Sequence, residues 1–222
     1  KKKFWKYIMN KEIIKRILSS LILIPVALFF IIKGSYFFNF FILICFLISS
    51  YEWHLMSKNK KYYLPGFIFI IFSFYTFYFF RNESDYKVFL LIIITCIATD
   101  IGGYIFGKIF KGPKLTKISP NKTYAGMFGS FLLSIIFAII YFNNLSFFRL
   151  AEDGEIGIQL MIIVLFISIA SQVGDLTISF FKRKSKIKNT GKIIPGHGGL
   201  LDRIDGMIFA FPFMFVLLEI IW

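Results

Sequence analysis

Apolar residues gather in seven long runs, at roughly 17–33, 36–51, 64–80, 86–106, 124–142, 157–181 and 206–222, parted by polar segments. Several runs sit near the lower limit of ~17 residues that a helix rising ~1.5 Å per residue needs to cross ~30 Å of hydrocarbon. The pattern predicts an all-α, polytopic membrane protein with about seven transmembrane helices. Residues 17–32 resemble a signal-peptide core, but no small-residue cleavage site follows, so they read as a retained first span. No internal repeat or long flexible linker interrupts the pattern, and residues 1–222 read as a single integral membrane domain.

Composition agrees. The chain is 57% hydrophobic and carries 31 Phe, more apolar surface than a soluble core needs. Cys45 and Cys96 lie inside apolar runs without CxxC spacing and read as small buried hydrophobes, not as a disulfide or a metal site.

Charge changes the picture further. A net charge of +14 would suggest nucleic acid in a soluble protein. Here the bases follow the loops. With seven spans, residues 1–16, 52–63, 107–123 and 182–205 lie on one side, and they hold 22 of the 26 Lys and Arg. The other side has only Lys33, Arg81, Lys87 and Arg149, together with Glu83, Asp85, Glu152, Asp153 and Glu155. By the positive-inside rule the basic set is cytoplasmic, which puts the N-terminus inside and the C-terminus outside. The partner implied by this charge is a lipid bilayer with anionic headgroups, not nucleic acid. A bacterial inner membrane is the expected location.

Candidate chemistry concentrates in the two longest basic loops and the spans that enter them. Asp100 lies in IATDIGGYIFGKIF and Asp175 in SQVGDLTISFF. An ionised Asp at the centre of a membrane helix costs ~2.5–3.5 kcal/mol, so each must face a cavity, a partner or an ion. An interhelical hydrogen bond or salt bridge satisfies that demand as well as a metal does. If the sixth helix continues into the basic cluster, Asp175, Ser179, Lys182 and Arg183 share one face. That stripe suits a metal ion and the phosphate it bridges, or a plain salt-bridge ladder. Asp202 and Asp205 are three residues apart and share a face on a helix; Asp202 also suits an N-cap. Asp175, Asp202 and Asp205 together match the few carboxylates that Mg2+ takes from a protein, and a second cation is compatible with them.

Between these acids, Gly196, Gly198 and Gly199 permit tight turns around His197, and a turn before a helix start directs N–H groups at an anion. His197 reads as a phosphate contact or as a shaper of the loop. In KGPKLTKISPNKTYAG, Ser119, Asn121, Lys122 and Thr123 precede the fifth span and suit a phosphate or nucleotide contact, or simple capping. No Walker A, HExxH, GxSxG or Cys/His zinc pattern is present, which argues against P-loop motors, zinc proteases and serine hydrolases.

Ser179-Phe-Phe-Lys182-Arg183, then PGHGG, then Asp202-Arg203-Ile-Asp205 closely resembles the signature of the phosphatidate cytidylyltransferases, also called CDP-diacylglycerol synthases. Gly174-Asp175 upstream matches, as do Thr99, Asp100, Gly102, Gly103 and Tyr104, and the segment Ser119, Pro120, Asn121, Lys122, Thr123 and Gly126. The resemblance covers about residues 95–212. Three positions depart from it. Asn189 stands where the family has Asp, Ala125 where it has Glu, and Gly103 where it has Ala.

The resemblance implies condensation of CTP with phosphatidic acid to CDP-diacylglycerol and pyrophosphate, assisted by Mg2+. It implies catalytic roles for Asp175, Lys182, Arg183, Asp202, Arg203 and Asp205, with Asp175, Asp202 and Asp205 as metal ligands. Ser119, Lys122, Thr123, Ser179, Lys188, His197, Gly198 and Gly199 would bind substrate. A homodimer is a further expectation from the family. The competing expectations are a CTP-dependent transferase using another lipid acceptor, a transporter of anionic solutes with Asp100 and Asp175 as pathway acids, and a non-catalytic lipid-binding homologue.

Overall fold

A computed structural model describes residues 11–116, 118–144 and 156–221. Lys1, Lys2, Lys3, Lys6, Lys117, Arg149, Glu152, Asp153 and Glu155, counted above in the charge pattern, lie outside the described residues. The described residues form eight helices: α1 (Lys11–Lys33), α2 (Ser35–Ser57), α3 (Tyr63–Asn82), α4 (Tyr86–Phe110), α5 (Tyr124–Asn144), α6 (Ile156–Lys184), the single turn α7 (Leu201–Ile204) and α8 (Met207–Ile221).

Each apolar run contains a helix among the described residues. α1 to α6 are each long and apolar enough to cross a membrane. α8 is an apolar helix of 15 residues, about 22 Å at the α-helical rise. It is short because a turn at Asp205 and Gly206 separates it from α7. The helices also outrun their apolar segments toward the basic connectors. α2 continues to Ser57, α4 to Phe110 and α6 to Lys184, so polar side chains are carried on rigid helical ends.

The alternation of connectors read from charge is visible in the contacts. On the basic side the Tyr62 hydroxyl meets the Ser185 hydroxyl at 2.9 Å, Ser185 donates to the Met56 carbonyl at 2.7 Å, and Arg16 Nε donates to the Gly196 carbonyl at 2.8 Å. On the opposite side Arg81 donates to the carbonyls of Ile31 and Ile32, and Asn82 donates to Asn39. α4 starts there with Asp85 as N-cap, its side chain accepting the Lys87 N–H at 2.9 Å.

The core is aromatic. Phe38, Phe77, Phe80, Phe89 and Phe211, from α2, α3, α4 and α8, are all buried, and the Phe77 and Phe211 rings lie 4.3 Å apart. α1 stands largely outside this core, with Leu18, Leu21, Ile22 and Ile24 exposed as lipid would leave them. α4, α5 and α6 are joined instead by hydroxyls. Thr99 donates to the Ser168 hydroxyl at 2.8 Å and Ser130 to the Thr99 carbonyl at 2.7 Å. Such bonds satisfy polar groups that hydrocarbon cannot. The α4–α5–α6 group and the α7–α8 turn enclose the site.

Candidate active site

α6 carries Asp175 and Ser179 on successive turns and ends in Lys182, Arg183 and Lys184. The α6 backbone comes unusually close to the turn between α7 and α8. A Cβ on Gly174 would strike the Asp205 carbonyl, and one on Gly206 would strike the Ser171 hydroxyl. Only glycine at both positions lets Asp175 and Asp205 approach from two separate segments.

The result is a cavity of about 360 Å³, lined among others by Asp100 and Tyr104 of α4, Ser119, Asn121, Lys122 and Thr123 of the α4–α5 loop, Gln172, Asp175 and Ser179 of α6, and Asp202 and Asp205. Four carboxyl groups therefore face one space. Two lysines pair with these acids, Lys122 from within the lining and Lys182 from behind Asp202. Lys122 Nζ lies 2.8 Å from Asp175 Oδ2, and Lys182 Nζ lies 2.7 Å from Asp202 Oδ1. Both acids are mostly shielded, with 15% and 7% of their side chains exposed, so water screens these pairs weakly.

The acids differ in what they have left to offer. Asp202 is saturated: besides Lys182, its Oδ2 accepts the N–H groups of Thr190 at 2.8 Å and Gly199 at 3.1 Å. It does not cap α7 from the N-cap position, which is Leu200. Asp175 Oδ1, by contrast, is buried with no hydrogen-bond partner. Asp205 Oδ1 accepts the adjacent Gly206 N–H, at 3.2 Å. Removal from water, then the Asp175 carboxylate beside it, pushes Asp205 well above the ordinary carboxylate range.

The α4–α5 loop is shaped by its own backbone. Leu115 N–H donates to the Lys122 carbonyl at 2.8 Å and Tyr124 N–H to the Pro113 carbonyl at 3.2 Å. Thr123 Oγ1 accepts the Gly126 N–H at 3.1 Å at the start of α5. Thr123 thus serves in capping and also lines the cavity. Lys122, adjacent to that cap, is aimed across the space at α6.

The glycine loop folds back on itself. Ile194 and Gly198 exchange backbone hydrogen bonds at 2.9 and 3.1 Å, with Gly196 and Gly198 at φ of 77° and 93°. His197 is held from α1: Nδ1 is 2.8 Å from the Ser19 hydroxyl and Nε2 is 3.4 Å from that of Ser20. Arg203 Nη2 donates to the His197 carbonyl at 2.7 Å. Partial burial, then the Arg203 and Arg16 cations, lower the His197 pKa from its ordinary 6.5.

Of the residues expected at the site, Ser119, Lys122, Thr123, Asp175, Ser179, Asp202 and Asp205 line the cavity, and Lys182 reaches it through Asp202. His197, Gly198, Gly199 and Arg203 build the neighbouring loop without lining it. Arg183 and Lys188 are exposed and lie outside the lining. Asp100, an intramembrane acid expected to face a cavity, a partner or an ion but not among the expected site residues, stands in the lining; its signal is the Thr99–Tyr104 segment. Asn121, expected in the loop before α5, lines the cavity too, and so does Gln172, which carried no sequence signal. Glu52, from α2, was overlooked; its trace is an acid at the end of an otherwise apolar run.

Among the described residues no three His, Cys, Asp or Glu side chains stand in ready metal-binding geometry. The donor chemistry nevertheless suits a hard cation, because Asp175 has a buried oxygen without a partner beside the carboxyl groups of Asp205 and Asp100.

The model of the cytidylyltransferase family matches residues 14–87 and 62–221. This chain belongs to the cytidylyltransferase family. The family match runs through α1 as well as through the cavity-forming helices. Among curated cytidylyltransferases, the chain is 36% identical over 182 residues to a phosphatidate cytidylyltransferase of Staphylococcus epidermidis, covering 78% of this chain and 66% of that protein. It is 38% identical over 158 residues to the Bacillus subtilis phosphatidate cytidylyltransferase, covering 69% and 56%. With that of Rickettsia typhi it shares 32% identity over 216 residues, covering 93% and 92%. The chain thus spans about two thirds or less of the first two relatives and nearly all of the third.

Proposed function

We propose that this protein condenses CTP with phosphatidic acid, giving CDP-diacylglycerol and pyrophosphate, at the inner membrane of a bacterium with its cavity open to the cytoplasm. The observation that carries the reading is one cavity lined by Asp100, Asp175, Asp202, Asp205 and Lys122, in which Asp175 holds Lys122 and Asp202 holds Lys182 at its edge. The match to the cytidylyltransferase family supports it.

In the reaction a phosphate oxygen of phosphatidic acid attacks the α-phosphorus of CTP. A new P–O bond forms, the bond to the β-phosphate oxygen breaks, and pyrophosphate leaves with the electron pair. Both reactants are anions, so the barrier is chiefly charge repulsion and misalignment. Lys122 and Lys182 would each exchange a carboxylate for a phosphate oxygen and orient it as a point charge. Ser119, Thr123 and Ser179 would donate hydroxyl hydrogen bonds to the same phosphates. The basic connectors would draw CTP toward the cavity by long-range attraction.

Asp175, with Asp205 and Asp100, would hold Mg2+; Asp202 would join only by giving up Lys182. When bound, the ion supplies positive charge to the triphosphate and to the departing pyrophosphate.

The test is radiolabelled CTP with purified protein, phosphatidic acid micelles and Mg2+, followed by chloroform extraction. Mg2+-dependent label in the lipid phase, abolished by EDTA, is expected. No label from a folded protein that binds CTP would overturn the reading and turn attention to another lipid acceptor.

A further inference from the structure

Glu52 lies in the last two turns of α2 and is completely buried. Burying a carboxyl group is costly unless its oxygens are satisfied. Here both are. Oε2 accepts the Thr190 hydroxyl at 2.9 Å and the Leu201 N–H at 2.8 Å, and Oε1 accepts the Leu200 N–H at 3.0 Å. The fit is close. A Cβ at Gly191 or at Gly199 would strike the Glu52 carboxyl.

These donors interleave with those of Asp202. At the start of α7 the Gly199 N–H goes to Asp202, while the next two N–H groups go to Glu52. At Thr190 the backbone N–H goes to Asp202 and the hydroxyl goes to Glu52. Two acids, 150 residues apart in the chain, therefore clamp the same two strips of backbone. Asp202 faces the cavity and holds Lys182; Glu52 does not line it.

We propose that Glu52 is a positioning residue for phosphate chemistry at this cavity: it sets the register of Thr190 against the α7 start, and so the aim of Asp202 and Lys182. Its kinetic consequence rests on the cytidylyl transfer proposed above. Its structural consequence does not.

The experiment uses the full chain in phosphatidic acid vesicles, with Glu52→Gln, Thr190→Val and Thr190→Ser. The glutamine keeps the shape but turns an N–H group toward donors that need an acceptor. Per folded molecule, Glu52→Gln is expected to lower kcat at least about tenfold while KM for CTP shifts less than about threefold, because no substrate-touching group is removed. Thr190→Val should lower kcat in the same direction. Thr190→Ser, which keeps the hydroxyl, should restore it to within about twofold of wild type.

In parallel, hydrogen exchange of peptides covering 188–204 should accelerate about tenfold in Glu52→Gln while α3 and α6 stay protected. Wild-type kcat together with wild-type protection in Glu52→Gln overturns the proposal. If the unaltered chain transfers no cytidylyl group, the proposed function fails and exchange alone decides Glu52, with unchanged protection overturning it. If Glu52→Gln does not fold, the Thr190 pair carries the same comparison.

Discussion

Asp175 holds the most consequential side chain in the molecule. Its Oδ2 is occupied by Lys122, its Oδ1 has no partner, and Asp205 stands beside it. Asp175→Ala removes the centre of this arrangement and should lower turnover at least about 100-fold while the protein still inserts and folds. Turnover near wild type in the lipid-labelling assay would remove Asp175 from the chemistry. His197 makes a different kind of prediction. Its folded-state pKa is lowered, so the folded protein resists the proton that the unfolded chain accepts. The stability it contributes is full above its ordinary 6.5 and is lost as pH falls from there through the lowered value. Between about pH 7.5 and about pH 5.5 the melting temperature should therefore fall further for the wild type than for His197→Asn, by scanning calorimetry. Asp175, Ser179 and Lys182 were legible as one helix face from spacing alone. The partners of these side chains were not. Lys122 is 53 positions from Asp175, and no local pattern connects them.

At the scale of elements, the decisive contact is α6 against the turn between α7 and α8. Gly174 and Gly206 remove the side chains that would hold these segments apart. Gly174→Val would put bulk against the Asp205 carbonyl and Phe209, and should cost about 1–3 kcal/mol in denaturant unfolding. It should also reduce transfer more than this loss of folded protein explains, because Asp175 and Asp205 move apart. Equal losses of activity and folded fraction would show that the spacing of the acids is unimportant. The helices themselves were readable from hydropathy, nearly to their ends. Their extension into polar sequence at Ser57 and Phe110 was not, since hydropathy marks where water begins rather than where hydrogen bonding along the backbone stops. Asp202 and Asp205 were expected on one helix that opens the last span. The chain turns at Asp205–Gly206 instead, and both acids still reach the same cavity.

The whole molecule divides into a basic face and a face with few bases. Connector contacts put residues 58–62, 111–116, 118–123 and 185–200 on the side where α1 begins. Exposed apolar side chains cover the helices between the faces. By the positive-inside rule we propose that the basic face is cytoplasmic. A membrane-impermeant maleimide should then label Lys60→Cys from the cytoplasmic side only and Glu83→Cys from the outer side only, in right-side-out and inverted vesicles made on a Cys45→Ala, Cys96→Ala background. Reversed labelling would overturn the proposed orientation.

The sequence by itself determined the class of this protein: its apolar runs, the sidedness of its bases, and the segments that carry acids, lysines and glycines. Those are sums over neighbouring residues, and the bilayer acts on such sums directly. The tertiary structure decided which of these groups meet. It paired Lys122 with Asp175 and Lys182 with Asp202, brought Asp100 into the lining, drew His197 toward α1, and set Glu52 under the loop. Each of these contacts requires a buried polar group to find a partner in a distant segment, because hydrocarbon offers none. Which partner is in reach depends on how closely the helices pack, and here glycines on α6 and at the α7–α8 turn decide that distance.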